Sequence, residues 1–138
     1  AKGGELARAQ IDRGVDVLFA AAGGSGLAAL QTVKDKGKLG IGVDSNQNYL
    51  YPGSVLTSML KRVDNAVYDG FKAAQAGTWK AGVTVKGLKE GGIDWALDEH
   101  NRKLITPEME KRINQAKQDI ISGKVNVVDY REKNSCPV

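Results

Sequence analysis

The chain is poor in the side chains that most enzymes and metal sites use, with one cysteine, Cys136, and one histidine, His100. A single cysteine cannot form a disulfide within the chain, and it cannot build a cysteine-based metal cluster. His100 lies in the polar stretch DEHN, which is typical of a turn. Ser25 lies in GGSG, which lacks the G-x-S-x-G order of a nucleophile elbow. We therefore expect no enzyme, no metal and no cofactor.

Long apolar runs are also lacking. None approaches the ~20 residues that span a bilayer, and the opening AKGGELARAQ is not a signal peptide. The 20 Lys and Arg and the 16 Asp and Glu are interleaved without a nucleic-acid-binding motif, so no nucleic-acid partner is expected. Because the opening has the pattern of a helix already in progress, we expect the back part of a longer protein. With 41% hydrophobic and 26% charged residues, the chain is expected to form one compact domain.

The stretch from Val15 to Asp44 has the pattern of a β-turn-α-β unit. An apolar run of strand length stops at Gly23-Gly24-Ser25-Gly26, a helical pattern follows, and a second apolar run ends on Asp44. Parallel strands bring their carboxyl ends to one edge, so the glycine turn and Asp44 are expected side by side. Bare glycine backbone, unpaired N–H groups at the helix start and the Asp44 carboxylate together predict a site for a small molecule rich in hydroxyl groups.

Apolar periodicity and Gly and Pro positions predict the remaining elements. We predict helices at 4–12, 25–36, 63–75 and 107–122, and strands at 15–21, 39–43, 54–60, 82–88, 93–97 and 125–128. The inward helix faces are predicted to carry Leu6, Ala9, Ile11, Leu27, Leu30 and Val33. The strands at 82–88 and 93–97 are expected to form a hairpin at a sheet edge. Lys61 and Arg62 join the strand at 54–60 to the next helix without a turn, which predicts a crossing between two lobes.

One alternative is a fragment of an NAD(P)-dependent oxidoreductase of the Rossmann type. The stretch Gly24 to Ala29 fits G-x-G-x-x-A after a strand, and Asp44 lies 20 positions beyond Gly24, where a ribose-binding acid belongs. Against this, a helix precedes the strand that normally opens such a domain, and nothing downstream supplies groups for proton transfer. The G-x-G-x-x-A match by itself therefore leaves NAD(P) binding open as an alternative.

The chain resembles the carboxyl half of the basic membrane protein family, the PnrA-like purine nucleoside receptors of ABC transporters. The resemblance is carried by AGGSG, GVDSNQ and LTSMLKRVD in this order and spacing, followed by GGIDWAL, and it runs from Gly3 to about Val127. It implies an α/β fold, a doubly wound parallel-sheet lobe of a type I periplasmic binding protein, in a fragment that lacks most of the amino-terminal lobe. Residues 1–60 and 82–105 would belong mainly to the carboxyl-terminal lobe, and residues 61–80 and 106–124 would pack with the absent lobe.

The resemblance implies the solute-binding component of an ABC importer, which holds a purine nucleoside between two lobes without chemistry. It places backbone contacts from Gly23 and Gly24 near the ribose, the Asp44 carboxylate on ribose hydroxyls, and the Lys61 ammonium at the same end of the ligand. The lysine would keep that carboxylate ionised, and the carboxylate would accept charge-assisted hydrogen bonds. Structural alternatives are that Asp44 only caps the following loop and that Lys61 is an ordinary surface residue.

The implied partners are the nucleoside and the permease subunits in the membrane. The full-length protein is expected to be a monomer and a lipoprotein, periplasmic or otherwise extracytoplasmic. Asn46 and Gln47 are expected to stabilise the loop after Asp44, and Tyr49 or Tyr51 could border the cleft. A further alternative is the ligand-sensing domain of a regulator with the same fold.

Overall fold

The computed structural model describes residues 2–130, and Cys136 lies outside the described residues. The chain divides into two compact units, 1–106 and 107–138. The first unit contains α1 (Lys2–Asp12), β1 (Val17–Phe19), α2 (Ser25–Asp35), β2 (Leu39–Asp44), a 3₁₀ turn (Asn48–Leu50), β3 (Val55–Lys61), α3 (Val63–Gln75) and β4 (Ile93–Trp95). In the second unit the described residues contain α4 (Pro107–Ile121).

The first unit is built on a four-stranded sheet in the order β1-β2-β3-β4. The first three strands are parallel, with Phe19 beside Ile41 and Val43 beside Met59, whereas β4 runs antiparallel to β3 at the edge. The predicted α/β class with a mostly parallel sheet is therefore confirmed. Because β1, β2 and β3 point the same way, the segments that follow them all leave from one edge of the sheet.

Helices α1 and α2 run alongside each other and bury the core. Close approach at their starts needs glycine, since a Cβ on Gly3 would lie 2.3 Å from the Ser25 carbonyl oxygen. The buried cluster is Ala7, Ile11, Leu18, Ala20, Ala29 and Val33. Leu30 is also fully buried, as predicted, but Leu6, Ala9 and Leu27 are exposed. The prediction for α1 was wrong at Leu6 and Ala9 because the helix packs through the stripe that contains Ala7 and Ile11, four positions apart.

The predicted strand at 82–88 is absent from the described fold. Val83 and Val85 are 96% and 84% exposed, and no backbone hydrogen bond within the described residues involves 80–86. A strand requires a neighbour to complete its ladder, and β4 pairs with β3 instead of with this segment. The predicted hairpin was therefore wrong, although the placement of 93–97 at a sheet edge was correct. Residues 125–128 form no strand either.

Strand β1 is less covered than its apolar sequence predicts. Phe19, expected in the interior, is 53% exposed. It lines a shallow apolar hollow of about 200 Å³ together with Ile41, Thr57, Met59, Asp94 and Trp95. None of the helices in the described range combines the length and apolar character needed to cross a membrane.

Candidate ligand-binding site

Asp44 and Lys61 meet at the edge where the parallel strands end. Asp44 is the last residue of β2 and Lys61 is the last residue of its neighbour β3. Lys61 Nζ lies 3.0 Å from Asp44 Oδ1, and both side chains are about half exposed. The structure thus brings together the two side chains that the sequence predicts to converge, and it leaves both of them open to a ligand.

The backbone at Asp44 is strained. Its φ is 70°, and it is the one non-glycine residue with positive φ within residues 2–130. Ser45 N donates to the Val43 carbonyl oxygen at 2.9 Å, which closes a three-residue turn with Asp44 at its centre. Such γ-turns with positive φ are rare and strained, and strained residues concentrate at functional sites. The turn ends β2 abruptly and directs the carboxylate towards Lys61.

The glycine turn follows β1 at the same edge of the sheet. Gly23 has φ 52°, a conformation that glycine adopts without steric cost. The prediction that the start of α2 offers unpaired N–H groups was wrong for Ser25, Gly26 and Leu27, which donate to the carbonyls of Ala22, Gly23 and Gly24. The amides of Gly23 and Gly24 have no hydrogen-bond acceptor among the residues that the structure describes. These two amides are the donors that remain for a ligand.

Arg62, the cation next to Lys61, is paired with a different carboxylate. Its guanidinium donates to both carboxylate oxygens of Asp64 at 2.8 to 3.2 Å and lowers the pKa of Asp64 to about 2. Lys61 and Arg62 both border a groove of about 650 Å³ between α3 and the segment from Thr78 to Gly92. Of these two neighbouring cations, Lys61 is the one that faces the Asp44 carboxylate.

The loop after Asp44 is held by buried polar side chains that sequence analysis missed. Asn46 and Gln47 form hydrogen bonds within and beside the loop, as predicted. They connect to Asn48, Ser58 and Asn101, which are fully buried. The sequence feature that could have indicated these contacts is the asparagine at positions 46, 48 and 101, because asparagine side chains near turns often form hydrogen bonds with the backbone.

Other candidates are placed away from this edge or have other partners. The Tyr51 hydroxyl donates to Gln31 Oε1 at 2.8 Å, and Lys34 Nζ lies 5.9 Å from the Tyr51 ring centre, so this ring packs on α2. His100 lies in a turn, as predicted, and its backbone N–H donates to Asp98. Asp98, Glu99 and His100 place possible metal ligands within 4.8 Å. The Asp98 oxygens already accept three hydrogen bonds, which argues against a metal there.

Comparison with known proteins identifies the family. Residues 1–131 match the family described as ABC transporter substrate-binding protein PnrA-like. The chain belongs to this PnrA-like family. The resemblance seen in the sequence is therefore confirmed, and the family is one of substrate-binding proteins.

Individual relatives of this PnrA-like chain agree with the assignment. Basic membrane protein D of Borreliella burgdorferi is 37% identical over 118 residues, which cover 83% of this chain and 34% of that protein. The ABC transporter nucleoside-binding protein BmpA of Lactococcus lactis is 34% identical over 146 residues, which cover 92% of this chain and 40% of BmpA. The chain thus spans well under half the length of these relatives.

A solved structure supports the fold of the PnrA-like chain. The ABC transporter system solute-binding protein from Aeropyrum pernix superposes with a TM-score of 0.74 and 27% identity. The match covers 91% of this chain and 44% of that protein.

Proposed function

We propose that this chain is part of the solute-binding component of an ABC importer, and that the component binds a purine nucleoside without catalysing a reaction. The observation that carries the proposal is the pair Asp44 and Lys61, which lie 3.0 Å apart at one edge of the sheet. A carboxylate accepts from two vicinal hydroxyls, and an ammonium donates to sugar oxygens. The name of the Lactococcus lactis relative supports nucleoside as the ligand.

The sugar would lie between the Asp44 carboxylate and the glycine turn. Gly23 and Gly24 have no Cβ, so a ligand can reach their amides, which have no acceptor within the described part of the chain. The ion pair holds the carboxylate ready before ligand arrives. This pre-organisation reduces the free energy lost in ordering the site on binding.

Residues 61–80 are proposed to pack with a second lobe formed by sequence that relatives possess and this chain does not cover. Helix α3 has no buried residue, and its apolar side chains Val63, Val67 and Phe71 are exposed. A large apolar surface of this kind marks an interaction surface. For residues 106–124 the same packing is proposed from the family resemblance, and ligand would be enclosed by closure of the two lobes.

Delivery to the membrane permease subunits follows from the same role. An importer takes up solute from outside the cell, so we place the protein outside the cytoplasmic membrane, anchored as a lipoprotein. The name of the Borreliella burgdorferi relative, a basic membrane protein, supports this location. We also propose that the full-length protein acts as a monomer.

The test is calorimetric titration of the natural polypeptide that contains these residues with adenosine, 2′-deoxyadenosine, adenine and NADH. We expect adenosine to bind and 2′-deoxyadenosine to bind about tenfold more weakly, since a lost hydroxyl leaves a buried acceptor unpaired. Residues 1–138 alone should bind adenosine poorly, because they supply the sugar side of the pocket only. Heat from NADH but not from adenosine would favour the dehydrogenase alternative and overturn the proposal.

The variant Asp44→Asn tests the site within that protein. It keeps the shape of the side chain and removes the charge, so adenosine affinity should fall. Asp16→Asn is the matched control, because Asp16 pairs with Lys38 just before the amino ends of β1 and β2, away from the carboxyl ends where Asp44 lies. An equal loss of affinity in both variants would contradict an assignment of the site to the Asp44 edge.

A further inference from the structure

The strained turn at Asp44 requires something to hold it. Non-glycine residues with positive φ persist only where surrounding contacts over-determine the backbone. The structure supplies these contacts through side chains of the next loop. Gln47 Oε1 accepts from Val43 N at 2.9 Å, just before the turn, and Gln47 N donates to Ser58 Oγ at 3.0 Å. The glycine at position 42 makes room, since a Cβ there would lie 2.6 Å from Ser58 Oγ.

The hydrogen bonds continue from Ser58 to Asp98. Ser58 Oγ donates to Asn48 Oδ1 at 2.8 Å, and Asn48 Nδ2 donates to Asp98 Oδ2 at 3.0 Å. Asn46 Nδ2 donates to the same oxygen at 2.6 Å. Asn48 and Ser58 are fully buried. A break at Ser58 or at Asn48 would leave a buried polar group unsatisfied, which makes this part of the arrangement stiff.

Asp98 itself is anchored on both sides. Its Oδ1 accepts from His100 N at 2.8 Å, and its own N–H donates to Asn101 Oδ1 at 2.8 Å. Asn101 is buried and donates to the carbonyls of Leu56 and Ala96, one in β3 and one just after β4. The loop that contains Asp98 is thereby fixed to β3 and to the end of β4.

We propose that Asp98 is a positioning residue for the ligand site, which holds Asp44 in its strained turn through Asn48, Ser58 and Gln47. Within residues 2–130, the hydrogen-bond partners of the Asp98 carboxylate are Asn46, Asn48 and His100, and Lys61 is not among them. Its carboxylate accepts from two side-chain amides with one oxygen and from the His100 N–H with the other. A neutral amide in its place has one acceptor oxygen, so its NH2 group would face either the two amides or the His100 N–H. The expected effect on ligand affinity rests on the proposed function. The expected effect on the backbone conformation of Asp44 does not, because it concerns the protein without ligand.

The experiment compares Asp98→Asn with Glu99→Gln in the natural polypeptide that contains these residues. Glu99 is the matched control because it is the adjacent carboxylate and its side chain is 81% exposed. With aspartate-selective ¹⁵N labelling, the wild type should show the strong intraresidue HN–Hα nuclear Overhauser effect at Asp44 that marks a positive φ. Asp98→Asn should weaken this signal, and Glu99→Gln should keep it. Adenosine affinity should fall about tenfold in Asp98→Asn alone.

Retention of both the Asp44 signal and wild-type affinity in Asp98→Asn would overturn the proposal. If the wild type binds no adenosine, the proposed function fails, and the Asp44 signal by itself decides on positioning. Should Asp98→Asn fail to fold, Asn46→Ala takes its place. Asn46 is exposed, and its replacement by alanine removes one hydrogen-bond donor to Asp98. Its Asp44 signal should weaken in the same direction, and an unchanged signal there would also overturn the proposal.

Discussion

Lys61 Nζ lies 3.0 Å from Asp44 Oδ1 although the two residues are in different strands. The contact exists because β2 and β3 are parallel neighbours and each contributes its last residue. A second pair, Lys38 and Asp16 at 2.6 Å, joins the residues that precede β2 and β1. A lysine–aspartate pair therefore lies at the amino ends of the parallel strands and another at their carboxyl ends. Of these two pairs, the one at the carboxyl ends lies beside a strained turn and exposed glycine amides.

A double-mutant cycle on Asp44 and Lys61 should show strong coupling in nucleoside binding. We expect Asp44→Asn and Lys61→Met each to weaken adenosine binding by about 2 kcal/mol, roughly thirtyfold, because each leaves its partner unpaired under the ligand. The double variant should lose little more than either single variant. Calorimetry on the natural polypeptide measures all four affinities, and additive losses would show that the two side chains act separately.

Replacement of Asp44 by glycine and by alanine should separate strain from charge. Both variants remove the carboxylate, but only glycine adopts φ near 70° without steric cost. We expect the glycine variant to be more stable than the alanine variant by about 1 kcal/mol in urea denaturation. Equal stabilities would mean that the turn relaxes in the alanine variant and that the backbone there is not firmly held.

Truncation of two leucines on α2 should give very different stability losses. Leu30 is 0% exposed in the core, so Leu30→Ala should lower the free energy of unfolding by about 2–5 kcal/mol. Leu27 on the same helix is 46% exposed, and Leu27→Ala should cost less than about 1 kcal/mol. Urea denaturation of both variants checks the difference, and similar losses would indicate that Leu27 is covered in the natural polypeptide.

Stability should fall as the pH is lowered through the pKa of Asp98. Burial raises this pKa, but hydrogen bonds from Asn46, from the His100 amide and from Asn48 outweigh it, and the net pKa lies below the usual 3.8. A carboxyl with a lowered folded-state pKa contributes stability above its unfolded pKa and loses it as the pH falls through the folded value. The stability difference between wild type and Asp98→Asn should thus be full at pH 7 and shrink below about pH 4. Urea denaturation at a series of pH values measures it, and a constant difference would contradict the role of the charge.

Local patterns predicted most of the elements because their causes are local. Helix α3 was predicted with its observed ends, Val63 and Gln75, from apolar spacing, and α4 begins at Pro107 as its Thr-Pro start indicated. The segment at 82–88 has the alternation of a strand, yet alternation cannot supply the neighbour that a ladder needs. For the same reason the exposure of Phe19 was missed, since it depends on what packs against that face of the sheet.

The sequence by itself determined the β-turn-α-β unit, the family and the choice of Asp44, Lys61, Gly23 and Gly24 as candidates, because spacing, glycine positions and motif order are properties of the chain. Only the tertiary structure decided that Asp44 is strained and that hydrogen bonds lead from Asp98 through Asn48 and Ser58 to the loop beside it. These features depend on strand register and on contacts between residues as far apart as 48 and 98. Register and long-range contact arise only when the sheet is assembled, so no local pattern encodes them.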